Sequence, residues 1–248
     1  MTSPDVEAER MEATNLFYRD PALYDAIQSD SGSAEACQAL IERHRPDATT
    51  LVDFGCGTGR DLEILAKRFD CVGVDLQTGL VDYAHRVRSG LDIRAGDMRT
   101  VRLQQRMDAV TCLGNSLAYL HDNDEISQAF ATFAAHARPG ALLVLCSPVA
   151  PIIRPEPISA VVETPDGPAR VAIGYEWDLR TQINTMHRRW VLASGSDAQD
   201  EIRRRVLFPR ELERYASAAG FEIVDMVDGS GGTGLSGPTA YTVARYTR

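Results

Sequence analysis

The sequence predicts the α/β class, with a doubly wound, mostly parallel sheet of seven strands, the last antiparallel, and an antiparallel β-ribbon inserted toward the C-terminal side. Three observations carry this reading. Short apolar, β-branched runs alternate with segments of helical spacing from about residue 34 to residue 147. The first run ends in a glycine cluster, Gly55-Cys56-Gly57-Thr58-Gly59, that opens a helix. Beyond Pro148 the alternation stops, and β-prone runs follow one another between proline-bearing and turn-like stretches. The first two together are the pattern of a Rossmann-like sheet.

Each element follows from local chemistry. An amphipathic helix from Ala34 to His44 ends at Arg45-Pro46, where proline blocks continuation. Thr50 to Phe54 is a buried strand, and Arg60 to Phe69 a helix with Leu62, Leu65, Ala66 and Phe69 on one face. "CVGVD" (Cys71 to Asp75) is the second strand, Leu80 to Val87 the next helix, and "DIRAGD" to Asp97 the third strand. Met107 to Gly114 is the fourth strand, Ile126 to Ala137 a helix and Ala141 to Ser147 the fifth strand. The ribbon is expected at Val171–Trp177, Gln182–Leu192 and Ile202–Phe208, with "DLRT" and "SGSDAQD" as turns. Helical spacing returns at Pro209 to Ala219, closed by Gly220, and strands follow at Phe221–Val227 and Tyr241–Tyr246. The loop "DGSGGTGLSGP" between them precedes no helix and reads as a hairpin connection.

Composition narrows the function. The 248 residues, 44% of them hydrophobic, suit one α/β unit with an insertion. No apolar run is long enough to span a bilayer, and the polar, acidic N-terminus lacks the regions of a signal peptide, so a cytoplasmic protein is expected. The five cysteines, Cys37, Cys56, Cys71, Cys112 and Cys146, are scattered without a C-x-x-C pair, which suggests reduced thiols and no zinc site. A net charge of -9 disfavours a nucleic-acid groove and suits a small or cationic substrate.

A strand, a glycine turn and a helix N-terminus let backbone N–H groups face a nucleotide-like ligand. Asp75, at the end of the next strand, places a carboxylate where it can accept both hydrogen bonds of a ribose diol. A dinucleotide fingerprint, G-x-G-x-x-G, needs its third glycine at position 60, where Arg60 stands; the third glycine arrives one residue early, the pattern is G-x-G-x-G, and a pyrophosphate is disfavoured. With "LVDFGCGTG", the acid of "VGVD", "AGDM", "DAVTCLGNSLAYL", "ARPGALLVL" and "LFPRELERYASAAGF", the chain resembles the class I S-adenosylmethionine-dependent methyltransferases. The resemblance runs from about Leu16 to the C-terminus. Within that family it is most similar to small-molecule enzymes of bacterial natural-product pathways, particularly amino-sugar N,N-dimethyltransferases. Where those typically carry a glycine-lysine-rich stretch and a histidine in the fourth-strand loop, this sequence has "SDSGSAEA" and Tyr119.

The resemblance implies a division of the single domain into an N-terminal flap (1–33), a cofactor-binding core (34–147), a ribbon lid (148–208) and a C-terminal helix and strands (209–248). It implies that Gly55, Cys56 and Gly57 let the methionine part of S-adenosylmethionine approach and that Gly59 permits close helix packing. Asp75 would hold the ribose, Leu76 would contact adenine, and Asp97 with Met98 would bracket the base. Leu113 would present its backbone to the cofactor amino acid group, with Tyr24 nearby. Phe17, Asn115 and Ser116 would look into the substrate space. The candidate catalytic groups are Tyr18, Tyr24 and Tyr119, with His121 and His187 as further bases or hydrogen-bond partners.

Alternation in "INTMHRRW" puts Ile183, Thr185, His187 and Arg189 on one face and Met186, Trp190 and Leu192 on the other, the latter expected in the core. His187 is carried as a substrate-side residue, the alternative being that it faces water. Asp122 or Asn123 caps the following helix, in preference to a metal role for "DND", and no metal is expected. Arg203 to Arg205 read as a solvated strand edge, the alternative being a phosphate site.

The implied reaction is methyl transfer from S-adenosylmethionine to nitrogen or oxygen of a small metabolite, in natural-product or modified-sugar biosynthesis. Carbon methylation and a non-catalytic, cofactor-binding regulatory role are the alternatives. The small acceptor is the expected partner, with no nucleic acid or membrane, and both a monomer and a homodimer stay open.

Overall fold

The computed structural model describes residues 6, 8, 9, 11, 14–27, 32–228 and 234–248. Helices α1 (Leu16–Arg19), α2 (Pro21–Ile27) and α3 (Gly32–His44) precede the alternating core of β1 (Thr50–Phe54), α4 (Arg60–Leu65), β2 (Asp70–Asp75), α5 (Thr78–Val87), β3 (Asp92–Ala95) and β4 (Met107–Cys112). A 3₁₀ turn (Ser116–Tyr119), α6 (Asn123–His136) and β5 (Ala137–Pro148) complete it. Strands β6 (Ile158–Thr164), β7 (Gly167–Asp178), β8 (Ile183–Val191) and β9 (Asp197–Arg205) form a second sheet, followed by α7 (Pro209–Ala218), β10 (Phe221–Asp228) and β11 (Thr239–Tyr246).

The main sheet has the order β10-β11-β5-β4-β1-β2-β3. Its strands pair in parallel from β3 to β5, while β11 runs antiparallel between β5 and β10. After β1 the chain builds outward through β2 and β3, then returns to place β4 on the other side of β1. The loops after β1 and β4 therefore diverge and leave a crevice at their carboxyl ends.

Period-two alternation explains the two apolar layers. Val52 and Phe54 point to one side, where Phe130 and Phe133 of α6 and Leu212 of α7 cover them. Leu51 points to the other, among Ile41 of α3 and Leu62 and Leu65 of α4. Asp53 shares the second side and is buried there, a charge-bearing group in an otherwise apolar strand.

Several boundaries shift for identifiable reasons. The first core helix ends at Leu65, because Lys67 and Arg68 N–H groups bond the carbonyls of Ile64 and Leu65 in tightened turns. β3 stops at Ala95, since the Asp97 carboxylate and carbonyl accept from Arg99 and Thr100 N–H and turn the chain. β4 stops at Cys112 because Gly114 and Asn115 take φ values of 61° and 65°. β5 starts early, with Ala137 pairing with Met107 across a register shift.

The ribbon has four strands where the pattern predicts three runs. β6 lies in the proline-bearing segment, and β9 begins inside "SGSDAQD" and stops before Phe208. That polar stretch is a strand because Asp200 is buried and holds Arg188 of β8 through Nε (2.8 Å) and Nη2. The same carboxylate accepts the Leu16 N–H at 3.0 Å. Phe17 and Leu23 complete the join by packing on Ala169, Val171 and Trp190, so α1 and α2 are fastened to the ribbon. The expected break falls at Pro21, the first residue of α2, with the Asp20 carboxylate accepting the Leu23 N–H (3.0 Å). The flap expectation also covers residues 1–5, 7, 10, 12, 13 and 28–31, and the hairpin loop covers 229–233; these lie outside the described residues.

Candidate cofactor and acceptor site

The glycine loop is a backbone requirement before it is a ligand site. Gly55 and Gly57 have φ of 79° and 57°, in the left-handed region that favours glycine. A Cβ on Gly55 would stand 2.4 Å from Cβ of Ser116, whose hydroxyl donates to the Gly55 carbonyl at 3.1 Å. Gly59 closes the turn at the start of α4, where a Cβ would meet Ile93 Cδ1 at 2.5 Å. Thus Gly55 admits the fourth-strand loop, and Gly59 admits β3.

Asp75 fixes this loop from the next strand. Its two carboxylate oxygens accept the N–H groups of Gly57 (2.7 Å) and Gln77 (2.8 Å). Burial pushes the carboxyl upward from the ordinary range, opposed by those backbone donors. Asp75 lines a slot with Leu76, Met98 and Gly55. Asp97 lies at the same slot, but Arg99 clamps both of its oxygens and ties them onward to Glu125.

On the other side of Gly55 lies a polar cavity of about 390 Å³, bounded by Asp53, Cys56, Leu113, Asn115 and Tyr241. Burial pushes the Asp53 carboxyl up to about 7, against a 2.7 Å hydrogen bond from the Thr111 hydroxyl. The Cys56 thiol is likewise pushed up by burial, which keeps it a packing group and not a thiolate. Asn115 sits at φ 65°, and its Oδ1 is buried without a hydrogen-bond partner. A buried acceptor of this kind awaits a donor.

A third cavity, about 270 Å³, lies over the loop and beneath the ribbon. Tyr18 and Tyr24 enter it from α1 and α2, and Tyr119, Asn115 and Ser116 enter from the fourth-strand loop. The rings of Tyr18 and Tyr119 stand 6.0 Å apart, and Tyr24 lies against Gly57, 3.4 Å from where a Cβ would be. Burial first, then the neighbouring Tyr119, pushes the phenols of Tyr18 and Tyr24 upward, so both remain protonated at neutral pH. Asp25 on α2 braces this arrangement by accepting from the Thr58 hydroxyl (2.6 Å) and from Arg88 (3.0 Å).

The structure thus brings Tyr18, Tyr24, Tyr119, Asn115 and Ser116 together around one space. Phe17 forms part of its wall, although its ring also belongs to the cluster with Trp190 at 5.9 Å. His187 is a correction. It is exposed on the outer face of the ribbon, 3.5 Å from both Glu176 and Glu201, because β8 alternation turns Met186 and Arg188 inward. His121 also lies outside the cavity, its Nε2 3.2 Å from the Arg203 carbonyl. Asp122 is the N-cap of α6, with Glu125 reaching back to its N–H at 3.4 Å.

Sequence reasoning missed Asp53, Arg188 and Arg204. A polar residue inside the apolar "TLVDF" was a signal for the first. The solvated-edge reading of Arg203 to Arg205 fails for two of the three: Arg205 is buried and paired with Glu211, and Arg204 lines the tyrosine cavity with its guanidinium 5.7 Å from the Tyr119 ring. In "EIRRR", alternation already places Arg204 on the face of apolar Ile202.

Comparison with known proteins bears on what such a site serves. Residues 51–140 match a family model described as a methyltransferase domain. The chain is 32% identical over 227 residues to the dTDP-3-amino-3,6-dideoxy-alpha-D-glucopyranose N,N-dimethyltransferase of Streptomyces fradiae, covering 86% of this chain and 88% of that one. It is 30% identical over 227 residues to the dTDP-3-amino-3,4,6-trideoxy-alpha-D-glucopyranose N,N-dimethyltransferase of Streptomyces venezuelae, covering 86% and 94%. Among solved structures, the S-adenosylmethionine-bound amino pentose methyltransferase from Micromonospora echinaspora, involved in calicheamicin biosynthesis, matches with TM-score 0.78 and 30% identity over 92% of this chain and 96% of that one. Identity sustained along nearly the whole of both chains, together with a glycine loop standing at the switch point of the sheet, places this chain among the S-adenosylmethionine-dependent methyltransferases.

Proposed function

We propose that the protein methylates the amino nitrogen of a small, amino-sugar-like acceptor in natural-product biosynthesis. The observation that carries this is the cavity in which three tyrosines face the glycine loop, on a chain whose relatives include amino-sugar N,N-dimethyltransferases. A space of about 270 Å³ between ribbon and loop accommodates the ring that carries the nucleophile.

The residues present fit the cofactor. Asp75 retains lone pairs for the ribose hydroxyls after accepting two backbone N–H groups. Leu76 and Met98 would hold the adenine, with Asp97 at its edge. Asp53, the unpartnered Asn115 Oδ1 and the Leu113 backbone would receive the amino acid end, beside Gly55, Cys56, Gly57 and Tyr24. In this reading residues 1–33 act as the flap, 34–147 as the cofactor core, 148–208 as the lid and 209–248 as the closing helix and strands.

Bound S-adenosylmethionine supplies a methyl carbon made electrophilic by its sulfonium. The protein's contribution is positional: the hydroxyls of Tyr18 and Tyr119 hold the acceptor nitrogen with its lone pair toward the loop, and the ribbon with α1 and α2 excludes water. Because burial holds Tyr18 and Tyr24 protonated, neither is the base, and the amine enters neutral. An amine of pKa near 10 is neutral in only about one part in a thousand at pH 7, and a desolvated cavity raises that fraction.

The test is incubation with S-adenosylmethionine and dTDP-linked amino sugars, followed by mass spectrometry of the acceptor. N-methylated product, lost in Tyr18→Phe with cofactor affinity retained, is expected. Binding of S-adenosylhomocysteine without methylation of any amine would favour the regulatory alternative, and methylation at oxygen or carbon would replace the nitrogen assignment.

A further inference from the structure

We propose that the acceptor carries an anionic group, a carboxylate or a phosphate, that pairs with Arg204 while its nucleophile faces the glycine loop. The inference rests on the methyltransferase reading and names the charge class of its substrate.

Arg188 is neutralised, because Asp200 grips it through Nε (2.8 Å) and Nη2, and Asn15 adds a contact at 3.3 Å. Arg205 is also matched, to Glu211 and Gln182 at 3.3 and 2.6 Å. Arg204 differs from both. Among the described residues it has no carboxylate within 4.0 Å and its guanidinium meets only the Tyr119 phenol, while its Nε, like that of Arg205, is buried without a hydrogen-bond partner. An arginine cannot escape by deprotonation, so a half-buried guanidinium with a buried Nε and no counter-ion is a costly arrangement. It is accounted for if the counter-ion arrives with the substrate.

Location supports the same conclusion. β9 pairs Arg204 with Asn184 and Ile202 with Met186, which directs these residues to the inner face of the ribbon. There Arg204 stands on the wall shared by the tyrosine cavity and a second pocket lined by Ile152, Tyr175, Met186, Ile202 and Pro238. An acceptor reaching across would meet three environments in order: tyrosine hydroxyls at its nucleophile, a guanidinium at its anion and an apolar pocket at its remaining body. The net charge of -9 repels anions in general, so a local cation is needed to admit one. This reverses the expectation of a cationic substrate drawn from net charge alone. A guanidinium also favours the neutral form of a nearby amine, the form that attacks.

The experiment uses the full chain saturated with S-adenosylhomocysteine, titrated calorimetrically with phenyl phosphate, benzoate and benzyl alcohol. Arg204→Met and Arg204→Lys are compared, with circular dichroism confirming their folds. The wild type is expected to bind at least one anion and to discriminate against the alcohol. Arg204→Met should lose at least tenfold in anion affinity, and Arg204→Lys less, because it keeps the charge but not the fork. The preferred anion identifies the group as phosphate or carboxylate. Anion binding undiminished in Arg204→Met, no anion binding by the wild type at millimolar concentration, or equal affinity for the alcohol would overturn the proposal. Lost affinity for S-adenosylhomocysteine in Arg204→Met would also overturn it, by assigning the guanidinium to the cofactor carboxylate. Failure of the wild type to bind S-adenosylhomocysteine would instead sink the cofactor assignment, and the same anion titrations without it would still read Arg204.

Discussion

Replacing Asp75 by alanine perturbs two things at once, and the structure separates them. The carboxylate accepts from Gly57 N–H at 2.7 Å and from Gln77 N–H at 2.8 Å, and it lines the slot next to Leu76 and Met98. Hydrogen bonds to a charged group contribute about 1.5–3 kcal/mol each, so the gross loss on the protein side is about 3–6 kcal/mol. Burial already disfavours the ionised carboxylate, as its raised pKa shows, and removing it recovers part of that cost. A net loss of about 1–3 kcal/mol in folding stability remains. Cofactor affinity should fall by a further 1–3 kcal/mol or so, roughly 5- to 150-fold, because the ribose hydroxyls lose a charged acceptor and the loop loses its anchor. Urea unfolding of the free protein gives the first quantity, and calorimetric titration with S-adenosylhomocysteine gives the second. An affinity within twofold of wild type, with an unchanged unfolding midpoint, would show that Asp75 neither braces the loop nor meets the ribose.

Gly57→Val forces a β-branched residue to φ 57°, with its Cβ 3.4 Å from the Tyr24 ring. It should abolish S-adenosylhomocysteine binding while the circular dichroism spectrum persists; normal titration by the variant would reduce the glycine to a turn residue. Asp53 has a folded pKa of about 7 against about 3.9 in the unfolded chain, so the folded state holds the extra proton between these values. Its contribution to stability is full below about pH 4 and is lost as pH rises through about 7. Asp53→Asn should therefore flatten the pH dependence of the unfolding midpoint over that window, and a slope equal to wild type would refute it. Since the sulfonium activates the methyl group, EDTA should leave the transfer rate unchanged; a chelator-sensitive rate restored by magnesium would overturn that reading.

The sequence by itself determined the loop and its acid, because their chemistry is local. Gly55, Gly57 and Gly59 announce positive φ, and an apolar strand before them with helical spacing after them leaves one arrangement for the backbone. Asp75 follows at the end of the next apolar run, and Pro21 marks the break between α1 and α2 without reference to anything distant. Asp122 and Glu125 likewise spell a cap within four residues. The tertiary structure decided everything that depends on register or on a partner far along the chain. Arg188 and His187 are neighbours in "MHRRW", yet one is buried against Asp200 and the other meets solvent, because each step along a strand reverses the side-chain direction. Asn15 and Phe17 complete a core with Trp190 and Asp200 across more than 170 residues, so the segment expected as a flap is joined to the ribbon. Arg204 reads as one of three adjacent charges until β9 is laid beside β8; Arg203 then meets solvent, Arg205 pairs with Glu211, and Arg204 is left facing the cavity. A charge's role is set by its counter-ion and solvent exposure, and in this chain both come from strand pairing that composition does not encode.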